Sequence, residues 1–214
     1  MNLSDTDEFQ EMMLKYSFAL QKLNTEINIL IDEYNFNYNY NPIEHIKTRI
    51  KNIDSIKSKL KKHNVEFNVA NIKKYIHDVV GMRIVCSFLS DVYEIVHMIK
   101  SSHEFVVKEE SDYIKNPKDT GYSSYHINVL VPVHLLNNVE FIEAEIQIRT
   151  IAMDCWASLD HKLCYKLPDD LPEEIKNDLE SRAKEIRELD KNMQYLYEIV
   201  KKYKYEHAKA EDNR

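Results

Sequence analysis

Two segments of this chain alternate polar and apolar residues, and their polar positions carry side chains that could do chemistry. In residues 139–149 the odd positions are Glu143, Glu145, Gln147 and Arg149. In residues 122–133 the alternate positions include Tyr122, Ser124, His126 and Asn128. Successive side chains of a β-strand point to opposite faces, so each polar set shares one face of its strand. If both faces lie on one side of a sheet, they assemble groups that suit a nucleotide and a metal ion. The plain alternative is a sheet with one solvated face.

A basic segment lies upstream of these strands. Residues 43–62 carry seven Lys or Arg against two acidic residues. Isoleucine spacing predicts a helix from Pro42 to about Lys62. On that helix Lys51, Ser55 and Lys59 form one stripe, which could hold a polyphosphate or could equally be a solvated face.

Asp78 and two arginines add a second group of candidate residues. Gly81–Phe88 is a β-branched run that predicts a buried strand, with Asp78 before it and Arg83 within it. Asp78 and a carboxylate on a nearby strand could share one Mg²⁺, which favours carboxylate oxygens and substrate phosphates. Arg49 lies near the apolar side of the predicted helix, where it could stack on a base or pair with an acid.

The dipeptide His77-Asp78 also suggests a metal-dependent phosphohydrolase. That kind of site needs further His and Asp ligands on several helices, whereas this dipeptide leads directly into a predicted strand. We therefore disfavour this interpretation.

A polar loop precedes the first alternating strand. Lys115 and Lys118 could meet phosphates as point charges, and Tyr122 could stack on a base. The chain has only two glycines, Gly81 and Gly121, where average usage would give roughly fifteen. Both lie within the segments described above, which indicates positions where the backbone requires glycine. An exposed polar loop is again the plain alternative.

The elements that must position these residues follow from the remaining pattern. Residues 5–34, 91–101, 152–166 and 172–205 predict helices, residues 103–109 a short strand, and residues 35–41 a loop; the tail from 206 is expected to fray. Helices, then strands with one intervening helix, then helices predict an α+β fold with one central sheet.

Composition excludes several classes of protein. The net charge of −7 argues against wholesale binding to nucleic acid. No apolar run approaches the ~20 residues of a membrane span, and the acidic, polar start does not read as a signal peptide. The three cysteines, Cys86, Cys155 and Cys164, have no zinc-site spacing and suit a reducing cytoplasm.

Four segments, in order, resemble the synthetase domain of the RelA/SpoT family in its short, stand-alone, RelQ-like form. They are Arg49-x-Lys51-x-x-x-Ser55-x-x-x-Lys59, Asp78–Val85, Asp112–His126, and Glu145–Thr150 with Trp156-Ala157 and His161-Lys162 after it. The resemblance covers about Pro42–Lys166. It implies a mixed central sheet of the nucleotidyltransferase-like kind in a single domain, residues 1–214, with a core at about 42–166 and helical extensions at 1–41 and 167–214.

The resemblance implies transfer of pyrophosphate from ATP to the 3′-hydroxyl of GDP, GTP or GMP, with release of AMP. Asp78 and Glu145 would bind Mg²⁺, and Glu145 would also be the general base. The implied ATP-binding residues are Arg49, Lys51, Ser55, Lys59 and Arg83, with the two arginines on either side of the adenine. The implied guanine-nucleotide residues are Lys115, Lys118, Tyr122, His126, Gln147 and Arg149.

The resemblance also implies a homotetramer built through the terminal helices and a regulatory alarmone site near His45. Nothing in the chain resembles the family's hydrolase domain, so synthesis alone is expected. Thr120, Ser123 and Tyr125 depart from the common pattern in the acceptor loop and leave acceptor preference open, and Asp160 stands where Glu is frequent.

Two alternatives to this enzyme remain open. One is a catalytically degenerate nucleotide- or RNA-binding module of the same fold, which the presence of both Asp78 and Glu145 disfavours. The other is a nucleotidyltransferase that releases pyrophosphate instead of AMP.

Overall fold

The computed structural model describes residues 6–164 and 172–212, with side chains described at 6–163 and 172–207. The elements follow the order α1 (Asp7–Tyr38), β1 (Ile43–Ile50), α2 (Ile53–Lys62), α3 (Val69–Tyr75), β2 (Val80–Cys86), α4 (Leu89–Ser101), β3 (Val106–Asp112), β4 (Tyr125–His134), β5 (Val139–Thr150), α5 (Ile151–Cys164) and α6 (Glu173–Asp212). The predicted strand at 81–88 and the predicted helix at 91–101 are confirmed to within two residues.

The strands form one mixed sheet in the order β1-β2-β5-β4-β3, and this confirms the predicted α+β class. β2 and β5 are parallel, whereas the other neighbouring pairs are antiparallel. In the β4–β5 hairpin His126 is paired with Gln147 and Asn128 with Glu145. Residues paired directly across strands project to the same side, so the two polar faces share one side of the sheet, which the alternation alone had left open.

The opposite side of the sheet is the hydrophobic core. Ile127, Val129, Ile146 and Ile148 are fully buried there and belong to one cluster with residues of α1 and α4. The buried positions of α1 recur at helical spacing: Phe9, Met12, Tyr16, Ala19, Leu23, Ile27 and Ile31. Removing this apolar surface from water holds the helices on the sheet and leaves its other side free for chemistry.

The prediction of one helix over residues 42–62 was wrong. Residues 43–50 form strand β1, which pairs antiparallel with β2, and the helix begins only at Ile53. Isoleucines at 43, 46, 50 and 53 fit a helical period, but β-branched residues also suit a strand beside a neighbour with open hydrogen-bonding groups. The Asn52 side chain accepts from the backbone N–H of Ser55 at 2.7 Å and caps the start of α2.

Smaller boundaries also differ from the predictions, among them the start of β4, which lies at Tyr125 instead of Tyr122. α1 continues four residues past Tyr34, so the predicted loop at 35–41 is mostly helical. The helix ends where Asn39 takes a left-handed conformation, with φ 48°. The short strand lies at 106–112 instead of 103–109, and helix α3 was not predicted. α6 continues through residues 206–212, where a frayed tail was expected.

Among the described residues no helix is both long enough and apolar enough to cross a membrane.

Candidate active site

One row of paired residues crosses the sheet on its polar side. Arg49 on β1 is paired with Gly81 on β2, Gly81 with Glu145 on β5, Glu145 with Asn128 on β4, and Asn128 with Glu109 on β3. Neighbouring strands lie about 4.8 Å apart, so this row spans the width of the sheet. Strand pairing therefore brings residues from four of the candidate segments into one line.

A cleft of about 490 Å³ opens over the β1–β2–β5 half of this row. Its lining residues are Lys47, Thr48, Arg49, Gly81, Met82, Arg83, Glu145 and Gln147. A Cβ at Gly81 would lie 3.2 Å from Arg49 Nε, so the absence of a side chain lets the arginine lie across β2. The cleft is thus bounded by two guanidinium groups, with a bare backbone between them.

Asp78 is the acidic centre beside this cleft. It accepts hydrogen bonds from Lys51 Nζ at 2.7 Å and Lys59 Nζ at 2.9 Å, and Arg49 Nη2 lies 3.9 Å away. Burial alone would raise the pKa of Asp78, but the two lysine hydrogen bonds outweigh it and hold the pKa below its usual value. Three cations therefore surround one ionised carboxylate.

The arrangement of these lysines differs from the predicted stripe on one helix. Lys51 follows β1 and precedes the cap of α2, whereas Ser55 and Lys59 lie one turn apart within α2. The two lysines still converge, because both reach Asp78 at the start of β2.

Glu145 lies in a closed ring of polar contacts with four predicted site residues. One branch runs from Arg149 Nη2 to the Tyr122 hydroxyl, which lies 2.9 Å from His126 Nε2, and His126 Nδ1 lies 3.3 Å from Glu145 Oε1. In the other branch Arg149 Nη2 donates to Gln147 Oε1 at 2.7 Å, and Gln147 Nε2 donates to Glu145 Oε2 at 2.6 Å. Both carboxylate oxygens are therefore held in place, and Arg149 orients both branches.

The charges of this ring are set by burial and by its own hydrogen bonds. Burial would raise the pKa of Glu145, and the Asp78 charge acts in the same direction. His126 and Gln147 outweigh both and hold the pKa of Glu145 below its usual value. Glu145 is therefore an ionised, largely buried carboxylate at neutral pH. Burial lowers the pKa of Arg149, whose side chain is only 4% exposed.

Asp154 joins the two halves of the site, and the sequence interpretation missed it. Its Oδ1 accepts from Arg83 Nη1 at 3.1 Å and from Arg149 Nη1 at 3.3 Å. Asp154 follows Arg149 by five residues and lies in the first turn of α5, a favourable place for a carboxylate. The sequence signal that could have identified Asp154 is an acidic residue in the first turn of the helix that follows strand β5.

A second cleft, of about 360 Å³, opens over the β3–β4–β5 half of the row. Its lining residues are Glu109, Glu110, Ser111, Tyr113, His126, Asn128 and Glu145. Glu145 lines both clefts, with Arg49 and Arg83 on one side and His126 and Tyr113 on the other.

The loop before β4 brings one of its two predicted lysines against Tyr113, a lining residue of the second cleft. Lys118 Nζ lies 4.5 Å from the ring centre of Tyr113 and 5.4 Å from that of Tyr122. Lys115 turns away: its Nζ lies 3.1 Å from Asp112 and 5.1 Å from the ring centre of Tyr93 on α4. Lys115 is therefore not assembled with Tyr122 in this structure.

The sequence departures in this loop have different surroundings. Tyr125 is buried on the core side, where its hydroxyl donates to Glu110 at 3.0 Å and its ring packs edge-on against Tyr93. Ser123 is also buried, at 4% exposure. Thr120 alone of the three is exposed, so it is the departure that a bound acceptor could touch.

His77 and His45 lie outside the ring. His77 Nδ1 lies 2.9 Å from Glu143 Oε2, which also accepts from Lys108 Nζ at 2.8 Å. Among the side chains described, at residues 6–163 and 172–207, no group of three or more His, Cys, Asp or Glu is placed to hold a metal ion. His45 is exposed on β1, opposite Val85.

Comparison with known proteins agrees with this geometry. Residues 48–170 match the family described as the region found in RelA/SpoT proteins. The GTP pyrophosphokinase YwaC of Bacillus subtilis is 43% identical over 187 residues, which is 87% of this chain and 89% of that protein.

Solved structures give the same result. The small alarmone synthetase 2 of B. subtilis superposes with a TM-score of 0.80 at 42% identity, over 90% of this chain and 99% of that one. The small alarmone synthetase 1 of B. subtilis, solved bound to its product pppGpp, superposes with a TM-score of 0.82 at 29% identity, over 91% and 99%.

Proposed function

The chain belongs to the RelA/SpoT family, and from that premise we propose that it is a (p)ppGpp synthetase. It transfers pyrophosphate from ATP to the 3′-hydroxyl of GDP or GTP and releases AMP. The similar proteins named as a GTP pyrophosphokinase and as small alarmone synthetases support this reaction class.

The observation that carries the proposal is the position of Glu145 between two clefts. A transfer between two nucleotides requires a donor site and an acceptor site whose reacting atoms meet at one place. Glu145 is a residue that both clefts share, and it is ionised and held at both oxygens. Holding two reactants in line contributes a large part of the rate of such reactions.

ATP occupies the first cleft in this proposal. Arg49 and Arg83 flank the adenine, since planar guanidinium groups stack on aromatic rings. Lys51 and Lys59 turn from Asp78 to the phosphates, with Ser55 one helical turn before Lys59. Lysine ammonium groups bind phosphate as mobile point charges, so this exchange of partners needs only side-chain rotation.

The donor set fits magnesium, which would be held by Asp78 and Glu145. The described residues offer these two carboxylates without a larger ligand cluster, which is usual for Mg²⁺ because it keeps water and substrate phosphates as its other ligands. The negative charge of Asp78 acts to raise the pKa of Glu145, as expected for a second carboxylate in the same site. When bound, the ion supplies positive charge that stabilises the phosphoryl oxygens as negative charge builds on them.

The acceptor occupies the second cleft and the loop beside it, with its guanine against Tyr122 and its phosphates near Lys118; these two residues contact His126 and Tyr113, which line the cleft. The acceptor 3′-oxygen attacks the β-phosphorus of ATP, and the bond from that phosphorus to the oxygen bridging to the α-phosphate breaks, so AMP leaves. Glu145 accepts the hydroxyl proton. Because its carboxylate is already ionised and fixed by His126 and Gln147, it needs only hydrogen-bond reach of the hydroxyl.

Incubation with Mg²⁺, ATP and GDP or GTP, followed by separation of the nucleotides, tests the proposal. We expect AMP and a 3′-pyrophosphorylated guanosine in equal amounts, and about 10²- to 10⁴-fold less of both with Glu145→Gln. Glu143→Gln, on the same face of β5 but bonded to His77 and Lys108, is the matched control. Binding of both nucleotides with no product would favour the degenerate module, and release of pyrophosphate would favour the nucleotidyltransferase.

We also propose self-association through the terminal helices, up to the homotetramer that the family resemblance implies. Exposed apolar residues recur on α6 at spacings of four, three, four and three residues: Leu189, Met193, Leu196, Val200 and Tyr203. This is the heptad spacing of helices that pack on other helices. Light scattering of the purified chain measures the assembly directly, and Leu196→Glu is expected to reduce its mass.

A further inference from the structure

Helix α6 packs directly against the acceptor loop. Gly121 has φ +76°, in the left-handed region that favours glycine. A Cβ at this position would lie 2.2 Å from the Cβ of Ala183, which is 1% exposed. Gly121 therefore provides both the turn before Tyr122 and the space that α6 occupies.

Arg187, one turn along α6 from Ala183, holds the same glycine by a hydrogen bond. Its Nη1 donates to the carbonyl oxygen of Gly121 at 3.1 Å. The loop is closed on itself by Gly121 N–H donating to Lys118 O at 2.7 Å and Lys118 N–H donating to Tyr122 O at 3.1 Å. The peptide that joins Gly121 to Tyr122 is thus fixed by a half-buried guanidinium from a helix more than sixty positions away in the sequence.

The next contact on the same face of α6 reaches the end of β5. Thr150 donates to Asp190 Oδ2 at 2.6 Å, and both side chains are buried. Thr150 directly follows Arg149, the residue that orients both branches of the Glu145 ring. Positions 183, 187 and 190 lie on one side of a helix, so a single helix face contacts both Tyr122's loop and Arg149's strand.

We propose that this face of α6 positions the acceptor site and that Arg187 is a positioning residue for Tyr122. The hydrogen bond of Arg187 goes to the Gly121 carbonyl, so Arg187 acts through the direction in which the chain enters Tyr122. The inference rests on the proposed function, in which Tyr122 contacts the guanine nucleotide. It assigns to α6 a role in the site beyond core or subunit contacts.

Steady-state kinetics of Arg187→Ala test this role. A charge-assisted hydrogen bond is lost, and we expect the KM for GDP to rise about tenfold. The KM for ATP and the kcat at saturating GDP should stay within about twofold, because the ATP cleft is untouched. Arg187→Lys, which keeps a donor, should recover part of the loss. Arg182→Ala is the matched control, since Arg182 is exposed on the same helix and pairs with Glu185.

Hydrogen exchange of the peptide 112–124 gives a readout that does not depend on turnover. Faster exchange in Arg187→Ala, and not in Arg182→Ala, supports the positioning role. This result holds even if the wild-type chain forms no product, and in that case only the proposed function fails. Unchanged exchange together with an unchanged KM for GDP would overturn the inference. An equal rise of both KM values would also overturn it, because α6 would then act on the whole fold.

Discussion

His126 Nδ1 lies 3.3 Å from Glu145 Oε1, while Nε2 of the same ring lies 2.9 Å from the Tyr122 hydroxyl. Arg149 donates to the same hydroxyl. The His126 ring therefore links the Tyr122 hydroxyl to the Glu145 carboxylate, and its tautomer decides which ring nitrogen carries the proton. One imidazole thus connects a buried guanidinium to the carboxylate that we propose as the base.

Replacing His126 with alanine should move the acid limb of the pH profile of kcat/KM to higher pH. His126 lowers the pKa of Glu145, whereas burial and the Asp78 charge raise it. Without His126, one of the contacts that lower the pKa of Glu145 is lost. Its pKa is then higher, so Glu145 becomes protonated at a higher pH than in the wild type. Profiles of both proteins, with His134→Ala near the end of β4 as control, measure the shift. An acid limb that stays in place would show that His126 does not tune Glu145.

Replacing Lys51 or Lys59 with alanine should weaken ATP binding selectively. Both ammonium groups lie at Asp78 and are placed to turn to the phosphates. We expect the KM for ATP to rise about tenfold for each, as for the loss of a hydrogen bond to a charged group, with the KM for GDP unchanged. Lys62→Ala, at an exposed position on α2, the helix that carries Lys59, serves as the control. A larger effect on GDP than on ATP would reverse the assignment of the two clefts.

Stability should depend on Asp78 in a defined direction of pH. Its pKa is lowered on folding, so its contribution is present above the unfolded-state pKa and is lost as pH falls through the folded-state pKa. Urea unfolding of the wild type and Asp78→Asn should therefore differ at neutral pH and converge under acidic conditions. A difference that grows toward acid pH would contradict the lysine pairing.

Replacing Gly81 with alanine should impair the ATP cleft without unfolding the chain. The added Cβ would meet Arg49 Nε at 3.2 Å and Cγ at 3.3 Å, so the arginine must shift by a few tenths of an ångström. We expect a several-fold higher KM for ATP, with a change in unfolding free energy below about 1 kcal/mol, as a flexible side chain can yield. If the fault lies in that contact, Gly81→Ala should raise the KM for ATP little further when Arg49 is already replaced by alanine. A KM for ATP in Gly81→Ala equal to that of the wild type would contradict the prediction.

Replacing Asp154 with alanine should cost stability as well as activity. Asp154 pairs with Arg83 and with Arg149, whose side chain is 4% exposed, so its loss leaves a buried guanidinium with one carboxylate fewer. Breaking a buried pair in this way costs about 3 kcal/mol. Glu188→Gln, which breaks an exposed pair with Lys191, should change the unfolding free energy by less than about 0.5 kcal/mol. Equal effects of the two variants in urea titrations would refute a structural role for Asp154.

The polar face of β4 and β5 was predictable from sequence because a two-residue period fixes which side chains share a face. His126, Glu145, Gln147 and Arg149 were found in this way, and the register of the hairpin brings them together. Residues 43–50 were misassigned because isoleucine spacing fitted a helix, whereas pairing with β2 decided the outcome. Tertiary pairing of this kind cannot be read from one segment alone.

Asp154 and Arg187 were missed for a related reason. Asp154 acts by joining Arg83 and Arg149 across two strands, and Arg187 acts on Gly121 across 66 positions of sequence. Their residue types are ordinary for helices, so no local pattern distinguishes them. Lys115 shows the converse case, since its position in a motif did not bring it to the second cleft.

Pyrophosphate transfer is tested most directly by following the phosphorus atoms. ATP labelled in its β-phosphate is incubated with GDP, Mg²⁺ and the chain, and the products are separated. We expect the label to move to the 3′-position of the guanosine product together with the γ-phosphate, while unlabelled AMP is released. We expect Glu145→Gln to slow this movement by at least about 10²-fold. Label recovered in free pyrophosphate or left in ADP, with none on the guanosine, would contradict it.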